Sequence, residues 1–184
     1  MELDKAIQKR HSVRKFKDKK PDWRTIIECI DSMRYAPQAG NVNTLKVILV
    51  DDEEKIAKIA EASQQPFVAQ AQFLVVVCST PSRTQTAYGE KGKVWVKQQT
   101  GAEIQNFLLM IEEAGLGTCW VGHFDEPVVR EELFIPEGVE IEAILPIGYE
   151  FGKPATRKAK VDLDRIIYFN KYGHVHMRKE KKAY

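Results

Sequence analysis

The stretch Lys9-Arg10-His11-Ser12-Val13-Arg14-Lys15-Phe16 places two arginines four positions apart around a serine, at the end of a short amphipathic segment with Leu3, Ala6 and Ile7 on one face. A guanidinium is a planar fork of donors that matches a phosphate, and a serine hydroxyl adds another donor, so Arg10 and Ser12 read as an anion grip. Arg14 lies one helical turn, or two strand pleats, further along, and can hold a second point of the same ligand. Basic clusters near a terminus are more often a solvated face. The rest of the chain therefore has to carry the reading.

With 184 residues, 43% of them hydrophobic, the chain fits one domain with a real core, or one protomer of a dimer. We expect a single domain over residues 1–177 and a basic C-terminal tail over 178–184. No apolar run has the length of a signal-peptide core or a membrane helix, so the expected location is cytoplasmic, with no membrane partner. Cys29, Cys78 and Cys119 are an odd number, far apart and inside apolar runs. They read as reduced, buried small hydrophobes, neither a disulfide framework nor a metal site.

The net charge of +2 conceals a segregation. Residues 1–24 carry nine Lys/Arg against four Asp/Glu, residues 151–184 carry ten against three, and the middle is strongly acidic. The two basic ends would suit one polyanionic group if they meet. Nucleic acid is not the expected partner, because no element interleaves basic residues with aromatics and the centre is acidic.

Along the chain, Pro21 and Asp22 open a helix with Ile26, Ile27, Ile30 and Met33 on its apolar side, running to about Tyr35. It delivers the irregular loop Ala36-Pro37-Gln38-Ala39-Gly40-Asn41-Val42-Asn43. Val47–Val50 and Phe73–Cys78 read as buried strands, with a helix over 53–62 between them. Residues 79–92 show no period and read as a long connection, a candidate lid. The longest helix is predicted from Trp95 to Ala114, with Ile104, Phe107, Leu108 and Ile111 on an arc wide enough to be buried on more than one side. Gly115-Leu116-Gly117 stops it. A strand over 118–121, a short helix over 126–133, a strand over 139–147 and an apolar patch at 166–169 complete the reading.

Four blocks in this order, Arg10 to Arg14, Ala36 to Asn41, Gly115 to Phe124, and Leu145-Pro146-Ile147-Gly148-Tyr149 followed by Lys153, Arg157 and Lys158, resemble the FMN-dependent nitroreductase family over nearly the whole chain. The resemblance implies an α+β sandwich, with a mostly antiparallel central sheet flanked by helices, in an intertwined homodimer. It also implies FMN sites built from both subunits. NAD(P)H is then a transient co-substrate, delivering hydride by a ping-pong mechanism for a small-molecule acceptor such as a nitroaromatic, quinone or enone.

Carried onto this chain, the resemblance puts Arg10, Ser12, Arg157 and Lys158 at the FMN phosphate, with His11 beside them. Arg14 falls at the N1/O2 edge of the ring, where negative charge gathers on reduction. Pro37, Gln38, Ala39 and Asn41 come from the other subunit. Trp120, Val121, Gly122 and His123 border the ring, with the backbone N–H groups of Gly122 and His123 facing O4 and N5. No side chain is needed as a catalytic acid or base.

Trp120 reads equally as core or flavin wall, Asn43 as turn or ligand contact, and the His11 and His123 side chains as structural. Asn43-Thr44-Leu45 stands where many members have Gln-Pro-Trp, so an aromatic and a proline near the cofactor are missing. Gly115-Leu116-Gly117 follows a helix and lacks a third small residue, so it is no dinucleotide fingerprint. Two other classes stay open: a non-catalytic flavin carrier or sensor, and a polyanion-binding module without flavin.

Overall fold

The computed structural model describes residues 2–152 and 161–177. Four strands, β1 (Leu45–Val50), β2 (Phe73–Ser79), β3 (Gly117–Thr118) and β4 (Glu140–Gly148), form one antiparallel sheet in the order β1-β2-β4-β3. Successive side chains of a strand point to opposite faces, and both faces of this sheet are covered. Leu74, Val76 and Cys78 of β2 join Ile144 of β4 and the apolar residues of α3 (Glu53–Ala62) and α6 (Glu126–Glu132) in one core. Phe73, Val75 and Val77 join Ala143, Leu145 and Ile147 against α2 (Trp23–Asp31) and α5 (Glu90–Glu113) in the other. Two-sided burial is why β2 reads as a continuous apolar run; β1, also read as a buried strand, lies at the edge of the sheet, and only its Val50 is buried.

Helix starts follow local side-chain chemistry. Asp22 accepts from the Arg24 N–H at 2.9 Å, Asp52 from Lys55 at 3.0 Å and Asp125 from Val128 at 3.4 Å, each satisfying a donor that the first turn leaves free. Pro21 precedes the Asp22 cap and does not occupy the first turn. The α2 helix gives way at Ser32 to a 3-10 turn, Ser32–Tyr35, that reaches the predicted end. Of the apolar face assigned to α1 (Leu3–Lys9), Ala6 is buried, whereas Leu3 and Ile7 are exposed.

The segment 79–92 departs from its reading as an irregular connection. Ser82–Tyr88 is a helix, α4, and after Gly89, whose φ is +61°, α5 begins at Glu90, ahead of the predicted Trp95. Only Thr84 of α4 is buried, so this polar helix has no apolar period to read. Gly92 makes the α4–α5 corner possible, since a Cβ there would lie 2.4 Å from the Thr84 carbonyl oxygen.

Met1–Pro154 and Ala155–Tyr184 are two separate units. Within the second, the described part has a 3-10 turn at Leu163–Arg165 and exposes Val161, Leu163, Ile166 and Tyr172. Arg157, Lys158, Lys153 and the basic tail 178–184 lie outside the described residues. Among the described residues no helix is long and apolar enough to cross a membrane.

Candidate functional site

The N-terminal stretch runs as an extended edge along the ends of β3 and β4. Past α1, the Val13 N–H donates to the Thr118 carbonyl at 2.9 Å, the Lys17 N–H to Tyr149 at 2.8 Å and the Phe151 N–H to Lys15 at 2.9 Å. Phe16 also bridges Glu150. Val13 is buried and its neighbours Ser12 and Arg14 are exposed, so the pleat sends both polar residues to the side away from the core. The strand alternative for the Arg10–Arg14 spacing is the one realised.

Two glycines let this edge approach. A Cβ on Gly117 would lie 2.8 Å from the Val13 side chain, and one on Gly148 would lie 2.9 Å from the Phe16 ring.

Arg10 is half-buried and Arg14 exposed, and neither guanidinium has an ion-pair or hydrogen-bond partner among the described residues. Arg14 does lie 6.0 Å from the centroid of the Phe67 ring. Burial pushes the Cys119 thiol up, while the Arg14 charge and a hydrogen bond with Ser12 pull the other way. Ser12 and Arg14 are thereby placed beside the segment leading to Gly122. Cys29 and Cys78 are also buried and free, each thiol pushed up to about 11 by burial and nearby carboxylates. None of the three is primed as a nucleophile.

His11 is structurally committed. Its Nδ1 lies 3.1 Å from the Lys9 carbonyl and its Nε2 2.9 Å from Glu150 Oε1, tying the end of α1 to the end of β4. Burial acts to lower its pKa, but the hydrogen bonds to Glu150 and Lys9 and the charges of Glu150 and Glu112 outweigh it, and the net shift is upward from 6.5. The protonated ring, with two donors for two acceptors, is the form this geometry favours. Stability from this contact is present below the unfolded-state value and is lost as pH rises through the folded-state one. Glu150→Gln is expected to bring the His11 pKa down toward 6.5, which a proton NMR titration of the imidazole reads.

At the other side of the edge, the Val121 side chain is buried in the core, and both its backbone groups bond to Ile144 at 3.0 Å. Val121 therefore anchors the strand and keeps no polar group for a ligand. The next two residues are different: among the described residues, no hydrogen bond holds the backbone N–H of Gly122 or His123. Trp120 is 42% exposed, which removes it from the core, and its Nε1 lies 3.8 Å from where a Gly122 Cβ would sit. One side of the fold thus offers two unpaired arginines, a serine hydroxyl, two open backbone donors and an exposed indole. These groups suit an anionic ligand with a planar, acceptor-edged ring.

The Ala36–Asn43 loop sits elsewhere, against α4 and α5, and among the described residues no hydrogen bond joins it to the Arg10–Phe16 edge. Its 3-10 turn, Ala39–Asn41, has Gly40 at φ +61° and Asn41 at φ +55°. The Ala39 N–H donates to Gln99 Oε1 at 3.1 Å and the Asn41 N–H to the Gln38 carbonyl at 3.1 Å. Asn43 shapes the turn, its Oδ1 accepting from the Leu45 N–H at 3.0 Å.

A cleft of about 460 Å³ opens between this loop and the helices, lined by Pro37, Gln38, Gly40, Tyr88, Trp95 and Gln98 among others. Tyr88 and Trp95 meet edge-on, centroids 5.0 Å apart. The Tyr88 hydroxyl occupies the space that a Gly40 Cβ would need. Sequence reasoning missed this aromatic wall because both residues lie in or next to the segment whose helical form left no periodic signal.

Comparison with known proteins agrees with this architecture. The model of the Nitroreductase family matches residues 7–65 and 59–149. A relative from Methanothermobacter thermautotrophicus, named as an NADH dehydrogenase/NAD(P)H nitroreductase, is 30% identical over 171 residues, covering 90% of this chain and 86% of its own length. A solved structure from Parabacteroides distasonis, under the same name, superposes with a TM-score of 0.81 at 27% identity, over 92% of this chain and 98% of that one. An FMN-dependent nitroreductase from Clostridium difficile shares the fold, with a TM-score of 0.77 at 24% identity over 91% and 98% of the two chains. On the family match, the relative and the antiparallel sheet with helices on both faces, the chain belongs to the nitroreductase family.

Proposed function

We propose that this protein is an FMN-dependent oxidoreductase that accepts hydride from NAD(P)H and then passes electrons to a nitroaromatic, quinone, enone or related acceptor, the two substrates using the site in turn. The observation that carries the reading is the pair of unpartnered N–H groups at Gly122 and His123, on the segment that Ser12 and Arg14 adjoin. Both residues are exposed, so these donors are open to solvent and free to meet a ligand. The names of the Methanothermobacter and Clostridium difficile proteins agree with it.

When bound, FMN supplies a ring nitrogen able to take up and release hydride; the protein supplies position and field. Arg10 and Ser12 hold the phosphate; Arg157 and Lys158, which the resemblance also assigns to it, lie outside the described residues. Arg14 places a cation where the ring gains charge, and the Gly122 and His123 N–H groups donate to the ring edge, with Trp120 as a side wall. The partner's loop completes the site. Since the N–H groups of Ala39 and Asn41 and the Gln38 side-chain amide are used within their own subunit, the loop meets the flavin through the Pro37 carbonyl and the Asn41 side chain. His11 and Val121 act at one remove, as anchors. A homodimer would also cover the exposed Ile7, Trp23, Ile27 and Trp95, and the three free thiols fit a reducing cytoplasm.

The test is anaerobic spectroscopy of the flavin-loaded protein. NADH or NADPH is expected to bleach the flavin band, and addition of a quinone or nitroaromatic to restore it without oxygen. A flavin that neither nucleotide bleaches contradicts the catalytic reading and leaves a carrier or sensor.

A further inference from the structure

Midway along α5, Glu103 is fully buried, and its Oε2 has no hydrogen-bond partner among the described residues. A carboxyl removed from water without a cation is costly unless hydrogen bonds compensate it. Burial raises its pKa above the ordinary carboxylate value, against the opposing effect of the Gln99 and Gln38 side-chain amides.

What the carboxyl holds is Gln99, one helical turn earlier and itself only 4% exposed. Glu103 Oε1 accepts from Gln99 Nε2 at 3.2 Å. The same nitrogen faces Val42 O at 3.3 Å and Thr44 Oγ1 at 3.1 Å, while Gln99 Oε1 accepts from the Ala39 N–H at 3.1 Å. A primary amide has two hydrogens, and here three acceptors compete for them. Every one of those acceptors favours the amide orientation that presents Oε1 to Ala39. The reverse orientation would set the NH₂ group against the Ala39 N–H, donor to donor. Gln99 thus clasps both ends of the Ala39–Asn41 turn, and Glu103 secures the clasp from the helix.

We propose that Glu103 is a positioning residue: acting through Gln99, it sets the conformation of the Pro37–Thr44 loop that completes the partner subunit's flavin site. The inference rests on the flavin reading above, and goes beyond it in assigning the loop's geometry to two buried side chains of α5. Glu103 then needs only its accepting oxygen, which glutamine supplies and leucine does not.

The test reads the loop with and without flavin. In the flavin-free protein, deuterium exchange of a peptide spanning residues 37–44 is compared among the parent, Glu103→Leu, Glu103→Gln and Gln99→Met, and FMN is then titrated into each. Glu103→Leu and Gln99→Met are expected to speed loop exchange by roughly five- to tenfold, as for loss of a buried hydrogen bond. FMN affinity should weaken by a similar factor, with the central strands still protected. Glu103→Gln should match the parent in both.

Should Glu103→Leu unfold, Gln99→Met carries the same readout. An unchanged loop in Gln99→Met, a faster loop with parental FMN affinity, or a Glu103→Gln as loose as the leucine variant overturns the proposal. Arg10→Ala serves as the control: it should weaken FMN binding without loosening the loop, and its failure to do so faults the flavin site and not the clasp.

Discussion

Arg10→Ala is expected to weaken FMN binding by roughly 1.5–3 kcal/mol, on the order of 10- to 150-fold, in both oxidation states. The Arg10 guanidinium has no partner among the described residues, so its donors are available to the phosphate and their loss is not offset within the chain. The phosphate does not change charge in turnover, so the loss should be the same before and after reduction. Arg14→Ala should behave otherwise, because a cation beside the atoms that gain charge stabilises the reduced form more than the oxidised one. A lost differential of about 1.4 kcal/mol corresponds to about 30 mV for a two-electron couple, and the midpoint potential should fall by that amount. Spectroelectrochemical titration of both flavin-saturated variants separates the roles. A potential unmoved in Arg14→Ala, or moved further in Arg10→Ala, would reverse the proposed orientation of the flavin.

Gly117→Ala is expected to cost about 1–3 kcal/mol of stability and to weaken FMN binding as well. The added Cβ would come within about 3.0 Å of three atoms of Val13, a short branched side chain with little freedom to move aside. Val13 is also the residue whose N–H fastens the edge to Thr118, so the displacement falls on the segment bearing Ser12 and Arg14. Gly101→Ala in α5 provides the contrast. Nothing lies within 4 Å of its Cβ position, and a helix-interior alanine there should gain roughly 0.5–1 kcal/mol. Urea unfolding of the flavin-free variants gives the stability difference, and flavin titration gives the second effect.

Much of this was legible from residue patterns. The apolar run of β2, the Asp22 start of α2 and the Arg10–Arg14 spacing each express one local rule, and each reappears in the fold. The α4 helix was not legible, because Ser82 to Tyr88 buries only Thr84 and so has no apolar stripe. Tyr88 and Trp95, and the cleft they line, went unseen with it.

Gln99 and Glu103 were missed for a different reason. They sit on the same buried stripe of α5 as Val96, Ile104 and Phe107, and the helical spacing of polar residues within an apolar stripe is a signal that could have found them. Trp120 could not be assigned from sequence, since a strand residue faces core or solvent according to register, and only the Val121–Ile144 pairing sets that register.

The flavin itself tests the central claim most directly. Protein purified, or reconstituted with excess flavin and desalted, is heat-denatured, and the released flavin is identified by chromatography. The proposed grip of Arg10 and Ser12 on a terminal phosphate predicts FMN stoichiometric with protein chains, and a yellow protein whose colour is depleted in Arg10→Ala. Release of FAD, or of no flavin after reconstitution, would contradict the account.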